Sequence, residues 1–207
     1  MTRVAVLASG RGTNLQALID AERRSELGAR VALVVADREG ARALARAAEA
    51  GVPTAVLRLR DFPTREDWDR ALAERLRGAA IDLVVCAGFA RVLGRRVLEA
   101  FAGRILNVHP ALLPAFPGGL HAQADALAYG VKVSGCTVHF VDETVDAGPI
   151  VVQRAVEVRE DDDVESLSAR ILAEEHVALV QAVRLWAEGR LRLEGRRVRV
   201  LAPAPSL

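Results

Sequence analysis

Asn107-Val108-His109 closes an apolar run and is followed by Pro110. On a strand, residues i and i+2 project to the same side, so an amide donor and an imidazole stand side by side here. Together they can hold an oxyanion and pass a proton. A lone histidine is more often structural, and the asparagine two residues before it is what lifts this one above that reading. Asp146 is a second candidate, within Asp142-Glu143-Thr144-Val145-Asp146-Ala147-Gly148-Pro149. Asp142 and Glu143 read as a solvated acidic turn. Asp146, beside Ala-Gly-Pro, is more constrained and able to approach an imidazole, which would raise the histidine's pKa and favour its acid form. A third group, Gly10-Arg11-Gly12-Thr13-Asn14, joins a strand to a helix. Its glycines allow a tight turn, and free N–H groups at the helix start bind an anion such as phosphate. The third glycine of the dinucleotide fingerprint is missing, and a plain tight turn explains the string equally well. Glu174-Glu175-His176 lies inside a long helix, where periodicity makes all three surface residues. His139, in an apolar strand, reads as a satisfied core residue. His121 lies in a proline–glycine loop, where it either closes over a ligand or faces water.

The elements that must position these groups follow from the pattern. Apolar runs at 3–8, 31–36, 54–57, 81–86 and 104–108 predict strands. The helix after residue 12 carries Leu15, Leu18 and Ile19 at helical spacing, and the next puts Leu44, Ala47 and Ala48 on one face and ends at Gly51. Thr64 followed by Glu66 and Asp67 predicts a capped helix start, with Trp68, Ala71, Leu72 and Leu76 facing the core and Gly78 as the stop. A helix around Val97, Leu98 and Phe101 leads into the strand that carries Asn107. Residues 110–121 form a loop. A helix at 122–129, strands at 135–141 and 150–158, and a long helix that starts after Asp161-Asp162-Asp163 and ends at Gly189 complete the pattern. Continuous apolar strands between amphipathic helices predict an α/β fold: a single doubly wound, mostly parallel sheet with helices on both faces. We expect one domain over residues 1–190. Residues 191–207 form a tail whose alternating, arginine-rich pattern predicts an edge hairpin of that same domain.

Composition narrows the function classes. With 51% hydrophobic and 27% charged residues the chain reads as an ordinary globular enzyme. A net charge of +1 gives no broad surface for nucleic acid or for an anionic membrane. Lys132 is the only lysine, a skew that coding bias explains. Cys86 and Cys136 sit in apolar runs without metal-ligand spacing, which predicts buried thiols in a reducing compartment. The chain enters a strand without a basic, apolar leader and has no apolar run long enough to cross a bilayer. A cytoplasmic location, small-molecule partners and a monomer or homodimer are therefore expected.

Taken in order, Ser9-Gly10-x-Gly12-x-Asn14, Ala87-Gly88-Phe89-x-Arg91, Asn107-x-His109-Pro110-x-Leu112-Leu113-Pro114 and Asp146-x-Gly148-Pro149 resemble the formyltransferase family across residues 3–190. The string Gly135-Cys136-Thr137-Val138-His139-Phe140-Val141-Asp142-Glu143 and the pair Glu175-His176 look like the branch that formylates glycinamide ribonucleotide in purine biosynthesis. The resemblance implies a Rossmann-like fold and 10-formyltetrahydrofolate as formyl-donating cosubstrate, with no metal. It implies catalytic roles for Asn107, His109 and Asp146. Substrate phosphate and ribose would fall to Gly12, Thr13, Asn14 and Glu175. The folate would lie against Arg65, Ala90, Arg91, Val92 and Leu93, with Val141 and Asp142 near its pterin. The family's loop after Leu-Leu-Pro usually reads Pro-Gly-x-His. Here Pro117-Gly118-Gly119-Leu120-His121 is one residue longer, and no role is assigned to His121.

Three other readings compete. A methionyl-tRNA formyltransferase would carry a further C-terminal domain and a tRNA-binding surface. A formyltetrahydrofolate hydrolase would place a regulatory domain before the first strand, which here begins at residue 3. A non-catalytic nucleotide-binding module would use the glycine turn and need none of Asn107, His109 and Asp146.

Overall fold

Five apolar runs in the first half of the chain become parallel strands. They are β1 (Thr2–Leu7), β2 (Ala29–Ala36), β3 (Thr54–Val56), β4 (Leu83–Cys86) and β5 (Ile105–His109). Their order is β3-β2-β1-β4-β5, with every neighbouring pair parallel. β4 is buried along its whole length and β2 exposes only Arg30, as strands apolar on both faces require. The computed structural model describes residues 1–119 and 121–203; Leu120 of the proline–glycine loop and residues 204–207 of the predicted tail lie outside them. Backbone contacts divide the chain into two compact units, Met1–Asn107 and Val108–Leu207.

In the first unit, α1 (Thr13–Arg23) and α2 (Arg42–Glu49) pack on β2, and α3 (Arg65–Gly78) packs on α4 (Arg95–Ala100). α3 starts as its sequence predicts: the Thr64 hydroxyl accepts the Asp67 N–H at 3.1 Å, and Glu66 and Asp67 occupy the first turn. Two details differ. Gly78 is the last helical residue, and the left-handed turn falls on Ala80 (φ 50°). On α2 the buried pair is Ala43 and Ala47, spaced i and i+4, while Ala48 faces solvent. Asp69 sits on the buried face of α3, and its carboxylate accepts the N–H groups of Gly94 and Arg96, both at 2.7 Å. It thereby satisfies the open N-terminus of α4 and anchors the segment that follows β4.

The second unit contains α5 (Ala122–Tyr129), β6 (Val133–Phe140), β7 (Ile150–Glu157), α6 (Val164–Ala187), β8 (Leu191–Glu194) and β9 (Arg197–Val200). Its strand order is β6-β7-β9-β8. β6 and β7 are antiparallel with a register shift at Val138/His139, β9 runs parallel to β7, and β8 and β9 form the predicted hairpin. α6 packs on β6, β7 and α5. Its start is closed by a capping box in which Asp163 and Ser166 exchange hydrogen bonds at 2.8 and 3.1 Å.

Cys86 and Cys136 are buried free thiols. Burial pushes the Cys86 thiol up to about 12. Burial, joined by the charges of Glu175 and Glu174, pushes Cys136 up to about 12 as well. Both are inert as nucleophiles at neutral pH. Among the described residues, no helix is long and apolar enough to cross a membrane.

Candidate active site

β5 carries Asn107, half-buried, and His109, buried at its carboxyl end. The loop after β5 is held by β6 and β7. Thr137 donates to the Ala111 carbonyl at 2.7 Å and accepts the Leu113 N–H at 3.0 Å, while Gln153 donates to the Leu113 carbonyl at 2.9 Å. That stitching brings the Phe116 carbonyl to 2.8 Å from Nε2 of His109. Nδ1 of His109 lies 3.2 Å from Oδ2 of Asp146. Both ring nitrogens thus face acceptors. A doubly protonated imidazolium satisfies both contacts, whereas a neutral ring can donate to only one.

Asp146 reaches this position through a strained backbone, with φ 52° in the left-handed region that non-glycine residues rarely adopt. Its Oδ2 also accepts the Gly118 N–H at 2.8 Å, and its Oδ1 lies 3.4 Å from Nε2 of His139. The loop that carries Asp146 closes tightly onto β6. A Cβ on Gly148 would stand 1.7 Å from the Phe140 carbonyl oxygen, so only glycine fits there. Burial alone would push the Asp146 carboxyl up. The hydrogen bonds from His139 and Gly118 and the charges of His109 and His139 together outweigh burial and hold it below the ordinary carboxylate range. The carboxylate is therefore ionised wherever the histidines can use it.

His139 is buried and hydrogen-bonded, Nδ1 lying 2.8 Å from the Phe140 carbonyl, as a core residue should be. Its second contact, to Asp146, is what the sequence reading missed. The only available signal was its place two residues after Thr137 and three before Asp142, on the strand that leads into the carboxylate loop.

The residues expected to hold phosphate and folate lie mainly in the first unit. Gly12 (φ 69°) is the cap residue before α1, and Thr13 and Asn14 are its first helical residues. A Cβ at Gly12 would stand 2.7 Å from the Ala43 backbone, so the turn presses directly on α2. The Ser9 hydroxyl accepts the Ala90 N–H at 2.8 Å, linking the end of β1 to the segment after β4. In that segment Arg65 donates to the Val92 carbonyl at 2.7 Å, Arg91 pairs with Asp37 at 2.8 Å, and Leu93 is buried. Arg65 and residues 90–93 therefore form one local group. In the second unit Val141 is half-buried and Asp142 exposed, its carboxylate accepting the Thr144 N–H at 2.9 Å; Asp142 and Glu143 are solvated, as their sequence predicts.

Glu175 corrects the periodicity reading: it is 8% exposed, on the buried face of α6. It stands four residues after Ile171 and three before Ala178, so it falls on the apolar stripe although it carries a charge. Glu174 pairs with Arg154. Burial lowers the pKa of His176. Among the described residues, no group of three or more histidine, cysteine or acidic side chains is placed to hold a metal ion.

Comparison with known proteins adds a second line. Residues 2–183 match the family model described as formyl transferase. A phosphoribosylglycinamide formyltransferase of Mycobacterium tuberculosis is 50% identical over 204 residues, covering 96% of this chain and 94% of that one. The trifunctional purine biosynthetic protein adenosine-3 of Drosophila melanogaster is 50% identical over 189 residues; the match covers 90% of this chain and 14% of the insect protein's length. Among solved structures, glycinamide ribonucleotide transformylase 1 from Symbiobacterium toebii superposes with a TM-score of 0.96 at 54% identity, covering 98% of this chain and 95% of that one. The α/β fold is the one those transformylases share.

Proposed function

The chain belongs to the formyl transferase family, and from that premise we propose that it transfers the formyl group of 10-formyltetrahydrofolate to the amine of glycinamide ribonucleotide. The amine attacks the formyl carbon and gives a tetrahedral intermediate. The carbon–N10 bond of the folate then breaks, the amine loses one proton and N10 gains one. The products are formylglycinamide ribonucleotide and tetrahydrofolate. The side chain of Asn107 donates to the oxyanion as it forms. His109, its ring held by Asp146 at Nδ1, exchanges the Phe116 carbonyl at Nε2 for the substrate, stabilises the same charge and relays the proton to the departing nitrogen. Asp146 fixes the ring; His139 and the Gly118 N–H hold Asp146 in turn.

Gly12, Thr13 and Asn14 take the ribonucleotide phosphate, because the positive end of an 11-residue helix dipole lies there. Glu175 is assigned to the ribose. Arg65, Ala90, Arg91, Val92 and Leu93 take the folate, with Val141 and Asp142 at its pterin. Transfer through these groups requires no covalent enzyme intermediate.

The observation that supports this reading most is the 3.2 Å approach of Asp146 to His109. A pure nucleotide binder has no use for an ionised carboxylate bonded to a buried imidazole beside an asparagine. The test is an assay of purified protein that follows loss of 10-formyltetrahydrofolate with and without glycinamide ribonucleotide. Loss that depends on the ribonucleotide is the expected result. Loss without it would make the protein a hydrolase, and no loss in either case would leave a binding module.

A further inference from the structure

The hairpin β8–β9 lies outside residues 2–183, the stretch that the family model matches, and it carries none of the residues assigned to catalysis or binding. It is stiffly built. Four residue pairs, from Leu191↔Val200 to Glu194↔Arg197, join its strands. The first of its two turn residues, Gly195, has φ 61°, which glycine adopts without strain. The open end is clamped to α6. The Arg190 N–H donates to the Leu185 carbonyl at 2.9 Å, and Arg190 and Leu201 exchange hydrogen bonds at 2.7 and 2.8 Å. A parallel bridge, Ile150↔Arg197, ties β9 to the start of β7.

That bridge decides what the turn can reach. Ala147 stands three residues before Ile150, and Arg196 one before Arg197, so in a parallel pair both lie at the same end. The Arg196 guanidinium donates to the Ala147 carbonyl at 2.7 Å, across 49 residues of sequence. Ala147 directly follows Asp146, whose backbone is strained at φ 52°. Both peptide groups of Ala147 are tied. Its N–H donates to the Thr144 carbonyl at 3.2 Å, and its carbonyl is the one that Arg196 holds. A strained conformation persists where its surroundings over-determine it; here one grip comes from within the loop and the other from the hairpin. Arg196 itself is exposed, so it fills no part of the core.

We infer that Arg196 is a positioning residue for the catalytic carboxylate: by holding the Ala147 carbonyl it fixes the backbone from which Asp146 is aimed at His109. It acts through Asp146 and not on the substrate. The inference rests on the catalytic role proposed for Asp146 and adds the hairpin to what sets that side chain.

The experiment compares Arg196→Ala with Arg199→Ala, which removes another exposed arginine of the same hairpin, one that pairs with Glu194 at 3.6 Å. Arg196→Ala should lower kcat about fivefold, the scale of one hydrogen bond, with the ribonucleotide KM and the circular dichroism spectrum unchanged. Arg199→Ala should keep the wild-type kcat. Added to Asp146→Asn, Arg196→Ala should change kcat by less than about twofold, because the charge it aims is already gone. Amide hydrogen exchange supplies a readout that does not need turnover. The N–H groups of Ala147 and of Gly118, which donates to the Asp146 carboxylate, should exchange about fivefold faster in Arg196→Ala and at the wild-type rate in Arg199→Ala. A wild-type kcat in Arg196→Ala, an equal loss in Arg199→Ala, or an undiminished loss in the Asp146→Asn background would overturn the assignment. So would a raised folate KM with kcat unchanged, which would move the effect to the pterin contacts, and so would unchanged exchange at both amides. If the wild type shows no ribonucleotide-dependent turnover, the formyl-transfer reading fails; faster exchange confined to Arg196→Ala would still support the grip on the Asp146 loop, and unchanged exchange would remove it.

Discussion

Gly12 and Asp146 both sit in left-handed backbone beside groups with proposed roles, and they solve that problem in opposite ways. At Gly12 (φ 69°) the turn needs backbone alone: there is no side chain, and a Cβ there would press on Ala43 of α2. At Asp146 (φ 52°) the side chain is indispensable, so the chain keeps an aspartate where glycine would be unstrained. The strain, of order 1–2 kcal/mol, is offset by the Gly118 N–H and two imidazoles converging on one carboxylate. Where a ligand is gripped by backbone, sequence shows glycine. Where a charge must be aimed, sequence shows a polar residue in a place it does not favour.

The contrast can be broken experimentally. The largest effect is expected on the carboxylate side. His109→Ala should lower kcat about 10²- to 10³-fold, on the order of 3–4 kcal/mol of transition-state stabilisation, with the circular dichroism spectrum unchanged; turnover near the wild-type rate would detach the cluster from catalysis. On the backbone side, Gly12→Ala adds both a contact at 2.7 Å to Ala43 and the left-handed penalty. Denaturant unfolding should show a loss of about 1–2 kcal/mol, and KM should rise for the ribonucleotide more than for the folate. A rise confined to the folate would exchange the two assignments.

Asp146→Asn sharpens the comparison through pH. The folded carboxyl titrates below its ordinary value of 3.8. The stability it contributes is therefore complete above that value and drains away as pH falls toward the folded one. The amide introduced by the substitution cannot titrate, so the variant should lose that segment of acid sensitivity and show a kcat about tenfold lower, roughly 1.4 kcal/mol. Acid unfolding curves parallel to wild type would mean that the carboxylate is not held as described. The smallest effect serves as the reference. Thr64→Ala removes a helix cap and should cost about 1 kcal/mol in stability with kcat untouched.

Local signals account for what could be read from sequence. The cap at Thr64, the acidic start of α6 at Asp163 and the hairpin after Gly189 each depend on neighbours within a few residues, and each appears where its residues place it. The parallel sense of β1 to β5 was legible in their continuous apolar runs, their order was not, and Asn107 and His109 share a side of β5 because they stand two residues apart on one strand. What depended on distant neighbours was not legible. Asp69 is buried because α4 brings unpaired N–H groups to it, and nothing around Asp69 in sequence reports α4. Glu175 lies on the buried stripe of α6, where the reading of periodicity places a surface residue. Asp37 follows β2 without any motif, and its pairing is visible only once Arg91, 54 residues later, is beside it. His139 shows the same limit, since its second ring nitrogen finds Asp146 across a loop.

The most direct measurement is a double-mutant cycle on kcat for His109→Ala and Asp146→Asn. If the carboxylate acts through the imidazole, the second substitution changes little once the first is made, and the double variant turns over about as fast as His109→Ala alone. Losses that multiply, leaving the double variant slower by the full product of the single effects, would mean that the two residues act separately and would contradict the coupling proposed for this site.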